Sequence, residues 1–151
     1  MNIDDPAVLD FVRRAMVARI ATVSRSGRPS ITSLYFVFVR GHLWLGTANW
    51  TLAAREAAAD PRVTVLLNIE RDREDRRILR ITGKATVKTE VSIMRASNLR
   101  MALKYILSPG GLRNHLANLR LLRVTNRYHA QSAAKGLACI IDVVPEQLEF
   151  I

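Results

Sequence analysis

The sequence predicts a mainly β protein with helices, of the α+β class, in which six antiparallel strands form a small barrel. Two turn signals, Ser26-Gly27 and Arg40-Gly41-His42, separate three strand-like segments within about thirty residues, which is typical of an antiparallel meander. A long segment of alternating polarity follows at 78–89, and helical patterns then run to about residue 135. The predicted barrel therefore carries one short inserted helix and a two-helix insertion before its last strand.

The first part of the chain predicts one helix and three strands. Residues 5–17 form the opening helix, because Asp4 or Asp5 can cap it and Pro6 suits its first position. Predicted strands follow at 18–24, 29–39 and 43–47.

The short helix at 51–59 predicts an anion-binding site at its N-terminus. A helix N-terminus presents backbone N–H groups and the positive end of the helix dipole to whatever lies before it. Here Thr47 and Thr51 precede the helix and Arg55 lies one turn inside it. This arrangement predicts a phosphate site, although a helix cap and ordinary surface charge would give the same residues.

The second part of the chain predicts two strands, at 62–68 and 78–89, then helices at about 89–107 and 112–135 and a last strand at 137–144. The strand at 78–89 alternates cleanly, so its polar face is either solvated or lines a ligand or subunit interface. One face holds Leu79, Ile81, Ala85 and Val87, and the other holds Arg80, Thr82, Lys84 and Thr86.

Composition limits the classes of function. The net charge of +10 predicts affinity for polyanions such as a phosphorylated cofactor, nucleic acid or an anionic membrane surface. No apolar run approaches the roughly 20 residues of a membrane span, and the acidic N-terminus has no apolar signal core, so we expect a cytoplasmic protein. The single Cys139 lies in an apolar run, which predicts a buried thiol.

Metal binding, nucleophilic catalysis and nucleic-acid binding lack sequence support. His42, His115 and His129 have no metal-ligand spacing, so we expect no metal site. The arginines of the second long helix predict a solvated face rather than nucleic-acid binding, since no DNA-binding motif accompanies them. No catalytic residue is assigned, and Tyr35 is the candidate proton donor.

Several segments occur in an order that resembles the pyridoxamine 5'-phosphate oxidase-like flavin-binding split barrels. They are Arg19-Ile20-Ala21-Thr22-Val23, Gly27-Arg28-Pro29, Leu43-Trp44-Leu45-Gly46-Thr47 and Asp60-Pro61-Arg62-Val63, with Pro145-Glu146 near the end. The resemblance spans about residues 7–89. It implies a single flavin-reductase-like split-barrel domain over 1–151, with a helical insertion at about 90–136.

The resemblance also implies a homodimer with two equivalent interface sites for FMN or a deazaflavin coenzyme. Arg19 of the first strand would reach the cofactor, the backbone at the end of the third strand would lie along its ring, and Thr51 would bind its phosphate. The implied cofactor-binding residues are Arg19, Ala21, Thr22, Leu45, Gly46, Thr47, Trp50, Thr51 and Arg55.

One departure from the family pattern concerns the phosphate. Relatives usually carry Lys two residues after the helix hydroxyl, often preceded by Arg, where this chain has Ala53 and Leu52. Losing a charge-assisted contact weakens binding by roughly ten- to a hundredfold, unless Arg55 substitutes.

Two functions therefore stay open. One is an oxidoreductase using FMN or a deazaflavin and passing hydride to a small flat substrate. The other is a non-catalytic barrel that binds or sequesters a flavin, haem or another anionic ligand. We expect a reaction other than pyridoxamine phosphate oxidation, since the sequence given lacks the arginine-rich tail of those oxidases.

Overall fold

The computed structural model describes residues 1–106, 112–113, 116, 134 and 136–151 of the chain. Within these residues the helices are α1 (Pro6–Arg14), α2 (Leu52–Ala59) and α3 (Val91–Tyr105). The strands are β1 (Ala18–Val23), β2 (Pro29–Leu34), β3 (Phe36–Val39), β4 (His42–Ala48), β5 (Arg62–Asn68), β6 (Ile78–Lys88) and β7 (Ala138–Phe150). The predicted second long helix at 112–135 lies almost wholly outside the described residues.

All seven strands belong to one curled antiparallel sheet in the order β2-β1-β5-β6-β7-β4-β3. The predicted fold class, a mainly antiparallel split barrel with helices, is confirmed. The predicted strand number was wrong by one, because the segment at 29–39 forms two strands. Its apolar run from Leu34 to Val39 carries no turn signal, so the break is a consequence of tertiary closure.

The break occurs at Tyr35, which alone joins β2 to β3. These strands lie at opposite edges of the sheet. Since two residues span at most about 7 Å, the two edges must meet at this corner. The backbone N–H of Gly46 on β4 donates to the carbonyl of Tyr35 at 3.0 Å and fixes the corner.

The last strand is longer than predicted and runs through Pro145 to Phe150. It pairs with β6 from Leu79 to Lys88, with a register irregularity between Thr82 and Gly83. A Cβ at Gly83 would lie 2.1 Å from the carbonyl oxygen of Val144, so only glycine fits this close approach.

The core lies inside the curl of the sheet and includes one face of α1. Asp5 caps α1 by accepting from the N–H of Ala7 at 2.9 Å, as the sequence predicts. The largest fully buried side chains are Phe11, Phe36, Ile20, Leu43, Leu45, Leu67, Leu79, Ile81, Ile140, Ile141, Val8 and Val12. Residues 139–143 of β7 are all buried, because Ile141 and Val143 pack in the core and α3 contacts this strand.

Candidate functional site

A cavity of about 790 Å³ lies between α3 and the sheet, at the ends of β2 and β4 and the start of β7. This volume is within the roughly 300–1,000 Å³ of small-molecule sites in proteins. Its lining consists of Val17, Ser33, Leu34, Tyr35, Gly46, Thr47, Ala48, Thr51, Met94, Ser97, Asn98, Met101, Gly136, Leu137, Ala138, Cys139 and Ile140.

One wall is a single face of α3. Met94, Ser97, Asn98 and Met101 follow the three- and four-residue spacing that places side chains on one side of a helix. Met101 approaches Gly46, because a Cβ at position 46 would lie 3.3 Å from the Met101 methyl carbon. Gly46 therefore lets the Met101 side chain pack closely against the backbone of β4.

The end of α3 is anchored to the corner where β2 meets β3. The hydroxyl of Tyr105 lies 2.6 Å from the carbonyl oxygen of Met16 and 2.9 Å from that of Phe36, and it accepts from the N–H of Phe36 at 3.1 Å. Burial raises the pKa of Tyr105 to about 12, so it stays a donor. The Nζ of Lys104 lies 3.6 Å from the centre of the Phe36 ring, and burial lowers the pKa of Lys104 to about 7. These contacts hold the α3 wall over the cavity.

Another part of the lining lies at the start of α2, where Thr51 borders the cavity. The Thr51 hydroxyl donates to the carbonyl of Ala48 at 2.9 Å and accepts from the N–H of Ala54 at 3.4 Å, so it caps the helix. The Thr47 hydroxyl lies 3.0 Å from that of Thr51. Both hydroxyls border the cavity, but each already takes part in hydrogen bonds within the fold.

The structure partly explains why this chain has Leu52 and Ala53 where relatives carry Arg and Lys. Ala53 is only 1% exposed and packs in the hydrophobic core, so its side chain does not line the cavity. Leu52 is 50% exposed. A lysine at position 53 would have to leave the core to reach an anion, so Ala53 fits the local packing of this chain.

Two predicted site residues on β1 make contacts away from the cavity. Thr22 is buried and its hydroxyl donates to the Oε2 of Glu56 on α2 at 2.5 Å. Ser30 also donates to this oxygen, and the hydrogen bonds from Ser30 and Thr22 lower the pKa of Glu56. On the other face of β1, Arg19 pairs with Glu70 at 2.6 Å and bonds to Asn68.

The remaining predicted residues are distributed around the site. Ala21 lies on the same face of β1 as Arg19, and the side chain of Leu45 is in the core. Trp50 is half-buried at the turn before α2, and Arg55 is exposed on α2. The structure thus brings Gly46, Thr47 and Thr51 together at the cavity and places the other six outside its lining.

The lining of the cavity carries no charged side chain among the described residues. Cys139 is fully buried, as predicted, and burial raises the pKa of its thiol to about 11, which keeps it protonated at neutral pH. The polar groups are hydroxyls, the Asn98 amide and backbone. In the described part of the chain, no group of His, Cys, Asp or Glu residues could hold a metal ion. None of the described helices is long and apolar enough to cross a membrane.

The α3 wall and the segment 136–140 were not predicted as site residues. The Met94–Met101 spacing was visible in the sequence, but α3 also carries Leu99 and Leu103, which are 60% and 53% exposed. With apolar residues on two sides, the helix gives no clear signal of which side faces the protein.

A protein-family model described as "Pyridoxamine 5'-phosphate oxidase" matches residues 4–151. A search of curated proteins found no match. Among solved structures, the chain is similar to HutZ, a haem storage protein from Vibrio cholerae (17% identity, covering 100% of this chain and 94% of that one, TM-score 0.66). It is also similar to an FAD-binding protein from Mesorhizobium loti (15%, 97% and 93%, TM-score 0.63) and to an F420 reductase (17%, 93% and 94%, TM-score 0.62). At these identities the likeness establishes the fold.

Proposed function

Because the chain belongs to the pyridoxamine 5'-phosphate oxidase family, we propose that it is an oxidoreductase that holds a flavin-type ring in the cavity under α3. The ring would be that of FMN or of the deazaflavin F420. The chain would act as a cytoplasmic homodimer with a small flat substrate. The observation that carries the proposal is the cavity of about 790 Å³ under α3, whose described lining is neutral and largely apolar.

The cavity suits a flat, uncharged ring. The methionines of α3 provide polarisable apolar contact for a ring, and Leu34 and Ile140 add apolar surface from the sheet. The Asn98 amide and the hydroxyls of Ser97 and Thr47 supply neutral hydrogen-bonding groups for the edge of such a ring. A bound flavin or deazaflavin would supply the hydride chemistry, while these residues orient it and limit access of water.

The phosphate end of such a cofactor has weaker support within one chain. The N-terminus of α2 and the Thr51 hydroxyl border the cavity, whereas Arg19 and Arg55 lie outside its lining. We propose that a second copy completes the site beside the N-terminus of α2. Tyr35, which lines the cavity and is 63% exposed, is the candidate proton donor.

An absorbance titration with FMN, riboflavin and F420 tests this function. We expect saturable micromolar binding of FMN or F420. Tighter binding of FMN than of riboflavin would support a phosphate contact, and equal binding would limit recognition to the ring. Failure of both FMN and F420 to bind at about 100 µM would contradict the proposal.

A non-catalytic binding protein is the second candidate, favoured by the absence of charged side chains in the described lining. The similarity to a haem storage protein makes haem one ligand to test. This function would be supported if the protein bound haem or flavin stoichiometrically and a quinone acceptor did not oxidise the bound reduced flavin or F420. Turnover with the quinone would support the oxidoreductase.

A further inference from the structure

A charged cluster adjoins the cavity on the outer face of the sheet. Gly46 of β4, Ile140 of β7 and Lys88 of β6 lie in one row of the strand register, and the first two line the cavity. Residues paired in an antiparallel ladder point to the same face. The next row contains Trp44, Asp142 and Thr86, about 7 Å further along the strands.

Asp142 is the centre of this cluster. It is only 3% exposed, and its carboxylate bonds to two groups: the Nζ of Lys88 at 2.7 Å and the Nδ1 of His42 at 2.9 Å. The hydrogen bond to Asp142 raises the pKa of Lys88. The side chains of Lys88 and His42 are 31% and 40% exposed, so both reach from the buried carboxylate to the surface.

A buried carboxylate needs a donor on each of its oxygens, and Lys88 and His42 supply them. Here Oδ2 bonds to Lys88 of β6 and Oδ1 bonds to His42 of β4, so the carboxylate orients one donor from each neighbouring strand. An ammonium has three N–H groups and a protonated imidazole has a second N–H, so Lys88 and protonated His42 each retain a donor beyond the bond to Asp142. A carboxylate bonded to one imidazole nitrogen also fixes the orientation of the other, as in many binding and catalytic sites.

We propose that Lys88 and protonated His42, each held by one oxygen of Asp142, recognise an anionic oxygen of the ligand whose flat, uncharged part occupies the cavity. The oxygen would belong to a carboxylate or a phosphate on a short chain, which extends from the cavity over Ile140 along the outer face. The cluster complements the described lining, which supplies shape and neutral hydrogen bonds but no charge. The inference depends on the proposed function only in requiring that the cavity accept a flat ring.

Fluorescence titration with pyrenebutyrate and pyrenebutanol tests the proposal without a flavin. The two probes share a flat ring and a short chain, and they differ in ending with a carboxylate or a neutral hydroxyl. We expect the native protein to bind the carboxylate roughly tenfold more tightly. Lys88→Met and His42→Gln should each reduce this preference to about threefold or less, without changing the affinity for pyrenebutanol.

Lys84→Met is the matched control, because Lys84 lies on the same strand, pairs with Glu146 at 3.5 Å and loses the same charge when substituted. It should leave the preference unchanged. Equal affinity of the native protein for both probes would overturn the proposal even if a variant failed to fold, and would leave the cavity as a ring site. Binding of neither probe would overturn the proposal and the cavity's assignment together. A carboxylate preference without FMN or F420 binding would support the cluster and contradict the proposed cofactor.

Discussion

The two walls of the cavity use their polar groups differently. On the α2 side, Thr51 caps the helix and Thr47 bonds to Thr51, and outside the lining Glu56 of the same helix accepts from the hydroxyls of Thr22 and Ser30. On the α3 side, the cavity meets methionine side chains and the exposed Asn98 amide. The first wall is mainly part of the folding framework, whereas the second is mainly a contact surface.

This difference predicts which substitutions change the stability of the fold and which change ligand affinity. A substitution on the α2 side removes a hydrogen bond that the folded chain needs, so it should change the free energy of unfolding. A substitution that fills the space facing α3 should change ligand affinity first. The following predictions test that separation, beginning with the largest effect.

Gly46→Val should reduce FMN affinity by about thirtyfold. Its Cβ would lie 3.3 Å from the Met101 methyl carbon, so the larger side chain would push Met101 into the cavity, and overpacking of this kind costs about 1–3 kcal/mol. Titration by absorbance or fluorescence measures the loss. The double variant Gly46→Val with Met101→Ala should recover part of the affinity, because it returns volume from the α3 side. Unchanged affinity in Gly46→Val would show that the ring binds elsewhere.

Thr22→Val should lower the free energy of unfolding by about 1–2 kcal/mol at neutral pH, since it removes a hydrogen bond to the buried Glu56 carboxylate. The Ser30 and Thr22 hydroxyls hold the folded-state pKa of Glu56 below its ordinary 4.5. Their stabilisation is therefore fully present above that value and is lost as pH falls through the folded-state pKa. Urea unfolding should show the difference between native and variant protein shrinking in acid.

Thr64→Val is the control for this experiment, because Thr64 pairs with Ala21 in the β1–β5 register, on the other face of the sheet from Thr22. It should have a small effect that does not vary with pH in the acid range. A Thr22→Val effect of the same size at all pH values would mean that Glu56 is not the partner that matters.

The elements that depend on local signals were predictable from the sequence. Gly27 and Gly41 have φ values of 81° and 84°, in the left-handed region that the two turn signals require. The alternation of β6 correctly separated its buried face from its polar face. The split at Tyr35 was not predictable, since β2 and β3 are separated only by the requirement that the two sheet edges meet.

Only the site residues that lie close together along the chain could be predicted from the sequence. Gly46, Thr47 and Thr51 come from one continuous segment, so the family pattern located them at the cavity. Ala53 shows the limit of such transfer, because its side chain packs in the core. The α3 wall and the His42–Asp142–Lys88 cluster join residues about 50 to 100 positions apart, and no local sequence pattern reports such contacts.

The smallest predicted effect concerns Thr51. Thr51→Ala should lower the free energy of unfolding by about 1 kcal/mol, because the N-cap bond to Ala54 is lost, and Thr51→Asn should retain most of it. The ratio of FMN to riboflavin affinity should fall by less than about threefold in Thr51→Asn, since a phosphate at a helix N-terminus binds mainly to backbone N–H groups. Urea unfolding and paired titrations measure the two quantities. If Thr51→Ala kept native stability but lost its preference for FMN over riboflavin tenfold, the α2 side would be a binding surface and not part of the folding framework.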